Sequence, residues 1–567
     1  MREYKKYAWS GLLCIGVEVV LEITVPLLMA DLIDYGVTNA DGTYIIKKGL
    51  QMALCAVLAL ILGVGSAKFS ALAGQGLGAN IRKAEYEKLQ SYSFSNIDHF
   101  SVSSLVTRLT SDVTNIQNAV STGMRPFGRS PVMLIFATSF AFRINSTLAL
   151  VFLVALPTLA VLLMLIIINV GPLYGRMQSA IDQVNRCIQE NLTAIRVVKS
   201  YVRGDYEVEK FGVVNENLKS ESEKAFGTAV LNMPAMQFVM YGTILGILLM
   251  GGRLINEGQM MIGQLTSFLS YVLLILNSLM MMSNVFLLMT RSLASAERIM
   301  EVIDEKIDIT DENAKDIAVV KGEIEFDHVW FKYKDTAKEY VLSDVSFHIK
   351  PGQTVGIIGQ TGSSKTTLVQ LIPRLYDVTK GEVKIDGINV KEYPVRHLRD
   401  AVAMVLQKNT LFSGSLIDNL RWGNENATLD EIKEACQIAC VDEFVDRLAD
   451  GYDTEMGQEG VNVSGGQKQR ICIARAILKK PKVLILDDST SAVDTATEAK
   501  IRSGLAEKLP DMTKIIIAQR ISSVRHADQI IIMDRGHVEA IGTHESLLRD
   551  NQIYQEIYAS QKEGADL

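Results

Sequence analysis

The sequence predicts an all-α membrane domain of six helices, with long helices extending into the cytosol, fused to a soluble α/β domain. Three observations carry this. Residues 1–300 are apolar and hold long uncharged runs, whereas residues 321–567 have the composition of a water-soluble protein. Charged residues make up only 21% of the chain, against about 25% in soluble proteins, and mean hydropathy is +0.18. In the soluble part, strand-like runs begin at EIEFDHVWFKY and a strand–loop–helix segment follows at TVGIIGQTGSSKTTLVQLI, the pattern of an α/β domain. The 567 residues are enough for three or four domain equivalents. This composition excludes a disordered chain. Six Cys and 11 Pro exclude disulfide-dense and collagen-like classes. A net charge of −7 gives no general attraction to nucleic acid.

A membrane span needs about 20 mostly apolar residues. Six stretches qualify, near 8–30, 50–74, 128–144, 147–170, 229–251 and 262–290. The N-terminal MREYKK is basic and no small-residue cleavage site follows, so the first stretch reads as a retained helix. The long connections, about 75–127 and 171–228, carry Arg82, Lys83, Lys88, Arg108, Arg176, Arg186, Arg196, Lys199 and Arg203. That bias places them, the N-terminus and the soluble domain in the cytosol of a multi-pass protein of the cell membrane. GANIRKAEYEKLQSYSF and DQVNRCIQENLTAIRVVKSY continue the helices outward, with breaks near Asp98–Ser104 and Arg203–Glu209. From pattern alone, these tips are either solvated hairpins or docking points for the soluble domain.

Glu18 and Glu22 lie one turn apart within the first span. Carboxylates there are costly and are candidates for a substrate pathway, meeting a cation or a proton; the alternative is a structural pair bonded to neighbouring helices. The methionines Met260, Met261 and Met280–Met282 fit either an adaptable apolar pocket or ordinary packing. GQGLG at Gly74–Gly78 follows no strand, so close helix packing explains it better than nucleotide binding. Cys436 and Cys440 sit one turn apart with no further ligand to complete a zinc set, and read as packing thiols.

A charged stretch at 301–320 links the domains, and strand-like runs begin at EIEFDHVWFKY. The decisive segment is TVGIIG followed by QTGSSKTTLVQLI. A hydrophobic strand ends at Gly359, a tight loop follows, and a helix opens at Lys365. This is the context of a phosphate-binding loop. Gln360, Thr361, Gly362, Ser363 and Ser364 offer backbone N–H groups, Lys365 reaches the β/γ-phosphates, and Thr366 and Thr367 follow, with the Thr366 hydroxyl available to Mg²⁺. Ser364 stands where the general pattern wants Gly. VLILDD is a strand ending in Asp487 and Asp488, which supplies one acid for the Mg²⁺ shell and one at the attacking water. VSGGQKQR reads as a Gly-rich helix N-terminus.

Together these motifs resemble an ATP-binding cassette exporter half-transporter over nearly the whole chain, most like the partly inactive subunit of heterodimeric bacterial multidrug exporters. The resemblance implies residues 1–300 as the transmembrane domain with two cytosolic coupling loops, 301–320 as linker and 321–567 as the nucleotide-binding domain. It implies ATP and Mg²⁺ as ligands, with Thr366, Gln407 and Asp487 holding the metal. Tyr333 matches the aromatic that stacks on adenine, and Gly359–Thr367 the Walker A loop. Ser464, Gly465, Gly466 and Gln467 match the signature motif, with Val463 where Leu is usual. Asp487 matches the Walker B acid, and Asp494 belongs to the loop that crosses the dimer seam. Thr454–Gly460 resembles the stretch that contacts the coupling helices, which favours docking of the two cytosolic tips.

Two departures stand out. The family's catalytic Glu is Asp488 here, and its switch histidine is Gln519. Asp is one methylene shorter, and Gln carries neither the histidine's charge nor its proton. Losing general-base function costs roughly 10²–10⁴-fold. The expectation is a degenerate site on this chain, a different partner half-transporter that hydrolyses ATP, and export of drug-like or amphipathic small molecules across the bilayer. A peptide or lipid exporter, and a nucleotide-regulated membrane protein that does not pump, are the alternatives.

Overall fold

The computed structural model describes residues 3–334 and 336–563. It contains two compact units, Met1–Leu89 with Ser103–Asp304, and Gln90–Val102 with Glu305–Leu567. The principal helices of the first stretch of chain are α1 (Lys5–Asp31), α2 (Gly42–Gln90), α3 (Phe94–His99), α4 (Met124–Ile144), α5 (Val151–Thr193), α6 (Gly204–Ala229), α7 (Asn232–Asn256) and α8 (Ile262–Asp304). Of these, α3 belongs to the second unit.

Among the described residues, five helical stretches are long and apolar enough to cross a membrane: Lys5–Val37, Gly42–Gln90, Ser146–Thr193, Gly204–Asn256 and Ile262–Met282. The expected span at 128–144 lies in α4, a helix of 21 residues whose Arg125, Arg129 and Arg143 separate it from the apolar composition of the others. With 49 residues, α2 is about 70 Å long, more than twice the hydrocarbon thickness. It runs past the span at 50–74 through GANIRKAEYEKLQ to Gln90, as the pattern predicts, and starts earlier, at Gly42. The second cytosolic break falls at Tyr201–Arg203, just before α6 begins. The predicted linker loses its first four residues to α8, which continues to Asp304.

The first unit's core joins Ile15, Val19 and Ile23 of α1 to Met133, Ala137 and Ala141 of α4 and to Phe268, Tyr271, Val272 and Ile275 of α8. Pro26 lies within α1, and hydroxyls of α8 bind carbonyls around it. Tyr271 donates to the Ile23 carbonyl at 2.7 Å, and Ser267 to that of Pro26. Asp34 accepts from the amides of Gly263 (2.6 Å) and Gln264 (3.1 Å), capping the start of α8. The GQGLG segment lies inside α2, where a Cβ at Gly74 would fall 2.7 Å from the Ser121 side chain and one at Gly78 2.4 Å from the Gln117 amide. Close packing is therefore what these glycines permit.

The second unit holds two principal sheets. β1 (Ile324–Phe331), β2 (Leu342–Ile349), β4 (Lys380–Ile385) and β5 (Ile388–Asn389) form an antiparallel sheet in the order β2-β1-β4-β5. β3 (Thr354–Ile358), β6 (Val402–Val405), β9 (Val483–Asp487), β10 (Thr513–Ile517), β11 (Gln529–Asp534) and β12 (His537–Gly542) form the other in the order β12-β11-β3-β10-β9-β6. All its pairings are parallel except β11–β12. Every residue of β9 is buried, as expected of a strand covered on both faces. β7 (Gly414–Ser415) and β8 (Glu455–Met456) make a small ribbon. The helices that position the site are α9 (Lys365–Gln370), α10 (Gly465–Leu478), α11 (Thr495–Lys508) and α12 (Gln552–Glu563). Cys436 and Cys440 are buried in the helical core cluster, and burial pushes the Cys436 thiol up to about 12.

Candidate nucleotide site

β3, β10 and β9 are adjacent and parallel, so the loops after them emerge side by side at the carboxyl ends of the strands. That is where open α/β sheets bind ligands. The loop after β3 carries Gly359–Ser364, the end of β9 carries Asp487 and Asp488, and the end of β10 carries Gln519. The structure brings these together: Thr361–Thr367, Gln407, Asp487, Asp488, Ile517 and Gln519 line one cavity of about 290 Å³.

The Lys365 ammonium donates to the carbonyls of Gly359 and Gln360, both at 2.8 Å, and to the Ser363 hydroxyl at 3.2 Å. It thus stands at the centre of the loop it is expected to serve. Burial lowers its pKa, opposed by Asp487 and Asp488. Gly359 admits no side chain, since a Cβ would sit 2.2 Å from the Met533 carbonyl. Ser364 adopts φ +68°, the left-handed region. The general pattern places Gly there because a side chain in that conformation costs about 1–2 kcal/mol.

Thr366 donates its hydroxyl to Asp487 Oδ1 at 3.1 Å. Asp487 is 1% exposed and its Oδ2 is buried with no partner among the described residues. A buried carboxylate oxygen beside a hydroxyl, with the Gln407 side chain lining the same cavity, suits a hard cation with oxygen ligands. The donor set fits Mg²⁺. Burial raises the pKa of Asp487, partly offset by the Thr366 bond.

Gln519 donates its side-chain amide to Asp488 Oδ2 at 2.9 Å. Burial raises the Asp488 pKa, while bonds from Gln519 and Gln407 and the Lys365 charge pull it back. The two departures from the family pattern are therefore direct partners. Asp488 also has φ +47°.

Tyr333 hydrogen-bonds Thr367 Oγ1 at 2.8 Å and packs edge-on against Tyr376 at 5.2 Å. It remains 44% exposed, leaving area for a stacked base. Tyr376 in turn donates to Asp98 Oδ2 at 2.6 Å and contacts the Phe94 ring at 6.1 Å. The first cytosolic tip, α3, is thus joined to the phosphate-binding loop through two tyrosines. Asn96 adds a bond to the Lys306 carbonyl at 2.8 Å.

Ser464, Gly465, Gly466 and Gln467 stand apart from this cavity, at the start of α10. Ser464 is its N-cap: the Ser464 hydroxyl accepts from the Gln467 amide at 3.3 Å, and the Gln467 side chain accepts from the Ser464 amide at 2.8 Å. Gly466 packs against the Ala492 carbonyl, 2.7 Å from where a Cβ would lie. Asp494 caps α11 by accepting from the Thr497 amide at 2.9 Å, and bonds from Thr497 hold its carboxyl below the usual range.

Three residues were missed by sequence reasoning. Gln469 bridges the signature helix to the next loop, accepting from the Ala492 amide at 3.0 Å and donating to Ser491 Oγ at 3.3 Å. Gln561 of α12 donates to the Gln519 carbonyl and accepts from the Ile521 amide, both at 2.8 Å. Tyr376 is the third. Only Gln469 lay near a motif; the other two act across 42 and 278 residues.

Glu18 and Glu22 lie in the first unit, paired with α4. Arg125 Nη2 is 2.6 Å from Glu18 Oε1, and Arg129 Nη2 is 2.6 Å from Glu22 Oε1. The structure thus supplies the neighbouring-helix partners.

The chain matches two families, "ABC transporter transmembrane region" over residues 9–279 and "ABC transporter" over residues 342–491. It is 38% identical over 568 residues to "Uncharacterized ABC transporter ATP-binding protein YfiB" of Bacillus subtilis (strain 168), covering 100% of this chain and 98% of that protein. It is 30% identical over 580 residues to "Putative multidrug export ATP-binding/permease protein YgaD" of the same organism, covering 99% and 98%. In fold it is similar to a bacterial Atm1-family ABC exporter solved with ATP bound, with TM-score 0.84, 23% identity and 98% of each chain covered. Membrane helices and a cytoplasmic ATP-binding, ATPase domain thus share one polypeptide, and the chain belongs to the ABC transporter family as an exporter half-transporter.

Proposed function

We propose that this chain is one half of a heterodimeric exporter of drug-like or amphipathic molecules, with ATP hydrolysis occurring mainly at its partner's Walker site. The observation that carries this is the Asp488–Gln519 pair. A general base must reach the water aligned with the γ-phosphate. Asp488 is a methylene short and its Oδ2 is engaged by an amide that cannot relay a proton. Binding elements are retained: Lys365 at the loop centre, Thr366 with Asp487, and Tyr333 beside the loop. Thr366, Gln407 and Asp487 would hold Mg²⁺, which on binding neutralises phosphate charge. The site accordingly favours long ATP occupancy over turnover, and that occupancy biases closure.

Ser464, Gly465, Gly466 and Gln467, presented by a well-capped helix, would complete the partner's site, with Asp494 at the seam. Tyr376 ties α3, the helix that follows α2 in the chain, to Tyr333 beside the nucleotide loop. Glu18 and Glu22 mark the substrate pathway. The name of the YgaD relative supports the multidrug reading of the cargo.

The test is ATP turnover in lipid by Asp488→Glu with Gln519→His, with the partner's own base disabled. Turnover at this chain's site rising about 10²-fold supports the reading; no change refutes it.

A further inference from the structure

The first unit contains a cavity of about 660 Å³ bounded by α1, α2, α4 and α8. Its walls are mostly apolar, from Val25, Pro26, Leu60, Val64, Leu273 and Leu274. Ala56, Ala59, Gly63 and Ala67 recur along one face of α2, so small side chains leave the space open. One wall differs. Glu18, Glu22, Arg125 and Arg129 all line it, two acids one turn apart on α1 facing two bases one turn apart on α4.

The bonding within this quartet is uneven. Glu18 Oε1 receives both Arg125 (2.6 Å) and Arg129 (3.4 Å), and Glu22 Oε1 receives Arg129 at 2.6 Å. Glu18 is 5% exposed, and its Oε2 is buried without a partner among the described residues. Arg125 and Glu22 keep side chains 39% and 32% exposed. The cluster has no net charge, is one donor short at Glu18, and presents an accessible base and an accessible acid. A Cβ at Gly63 would lie 3.1 Å from Arg125 Nη2 and 3.2 Å from Glu18 Oε1, so the glycine is what gives the pair its place.

We propose that this cavity binds zwitterionic amphiphiles whose cationic group carries N–H, with the headgroup on the Glu18–Glu22–Arg125–Arg129 quartet and the chain along the small-residue face of α2. This rests on the exporter reading and narrows its cargo. Net charge decides the class. A singly charged ligand would add an uncompensated charge to a neutral cluster in a mostly apolar cavity, which is costly. A zwitterion adds none: its anion meets Arg125, and its ammonium meets Glu22 and, after a small turn of the carboxylate, Glu18. The missing donor at Glu18 selects an ammonium with N–H over a quaternary one. A cation meeting the two glutamates alone is disfavoured, because both are already neutralised by arginine.

The test uses the full chain with its co-purifying partner in dodecylmaltoside. Acyl-labelled lysophosphatidylethanolamine, lysophosphatidylcholine and lysophosphatidylglycerol, and a labelled alkylammonium, are titrated by fluorescence anisotropy. The ethanolamine form should bind about 10-fold more tightly than each of the others. Ala59→Phe, which fills the cavity and leaves the charges, should abolish binding. Glu18→Gln should remove the preference over choline, with melting temperature recorded as a control on folding. Equal or tighter binding of the glycerol or ammonium probe overturns the proposal, as does unchanged binding in Ala59→Phe. Equal binding of choline and ethanolamine overturns the N–H selection. ATP-driven movement of the same probes into inverted vesicles separates the two readings. Movement without headgroup preference leaves the exporter and removes this site; preference without movement removes the exporter reading alone.

Discussion

Replacing Ser464 separates the cap role that the structure shows from the signature role proposed for the same hydroxyl. As N-cap of α10 it accepts from the Gln467 amide at 3.3 Å. As signature residue it is proposed to face the partner's ATP. Ser464→Ala removes both. Loss of a cap costs about 1 kcal/mol, and shifts the melting temperature by about 2–4 °C in a domain of this size. That does not unfold a domain stabilised by about 5–15 kcal/mol. Loss of a donor to developing phosphate charge costs about 10²–10³-fold in rate. Ser464→Asp distinguishes the two, because Asp caps a helix as well as Ser does but places a carboxylate against phosphate. The assay is ATP hydrolysis by the complex of this chain with its partner in lipid, alongside thermal melting. Both variants should lose at least about 10²-fold in turnover, and only Ser464→Ala should lose stability. Retained turnover in Ser464→Asp would show that the cap, and not a contact to ATP, is what matters, and would refute the signature assignment.

Other outcomes follow from single contacts. Ser364→Gly relieves a left-handed serine and should stabilise the domain by up to about 1 kcal/mol, read by melting; a destabilised variant would contradict the strain argument. Gln561→Ala removes both bonds that tie α12 to the Gln519–Ile521 turn, so hydrogen exchange at the Ile521 amide should accelerate about 10-fold or more. Unchanged exchange there would show that the loop holds itself. Tyr376→Phe breaks the bond to Asp98 and should weaken coupling of ATP turnover to substrate while leaving ATP affinity intact. Equal loss of both would make Tyr376 a packing residue only.

The strand–loop–helix at Gly359–Lys365, the strand ending at Asp487 and the helix start at Ser464 were legible in sequence because each is a local device. A strand, a turn and a helix start occupy a dozen consecutive residues, and their backbone chemistry dictates which residue types fit. Ser364 illustrates the point: its departure from Gly was visible in the sequence, and φ +68° supplies the reason. Asp488 and Gln519 were each identified, but their bond joins positions 31 residues apart on adjacent strands. Pairing of that kind depends on strand order, which motif spacing does not encode. The same holds for Tyr376 with Asp98, and for Glu18 with Arg125, separated by 107 residues. Arg125 and Arg129 gave no signal of their own, since they open a helix whose charges dilute its hydropathy. The outward continuation of α2 was legible, because GANIRKAEYEKLQ keeps a helical spacing of apolar residues after the hydropathy falls, and α2 runs on to Gln90. Its start at Gly42 was not, since the polar residues before 50 lie outside a hydropathy window.

The central claim is that this chain's own site holds ATP and its partner's site turns it over. The direct measurement is ATP hydrolysis by the chain purified alone in lipid, repeated with its co-purifying second half-transporter. Negligible turnover alone, restored by the partner, is the predicted result. Brisk turnover by the chain alone would mean a homodimer in which Asp488 and Gln519 suffice, and would contradict the account.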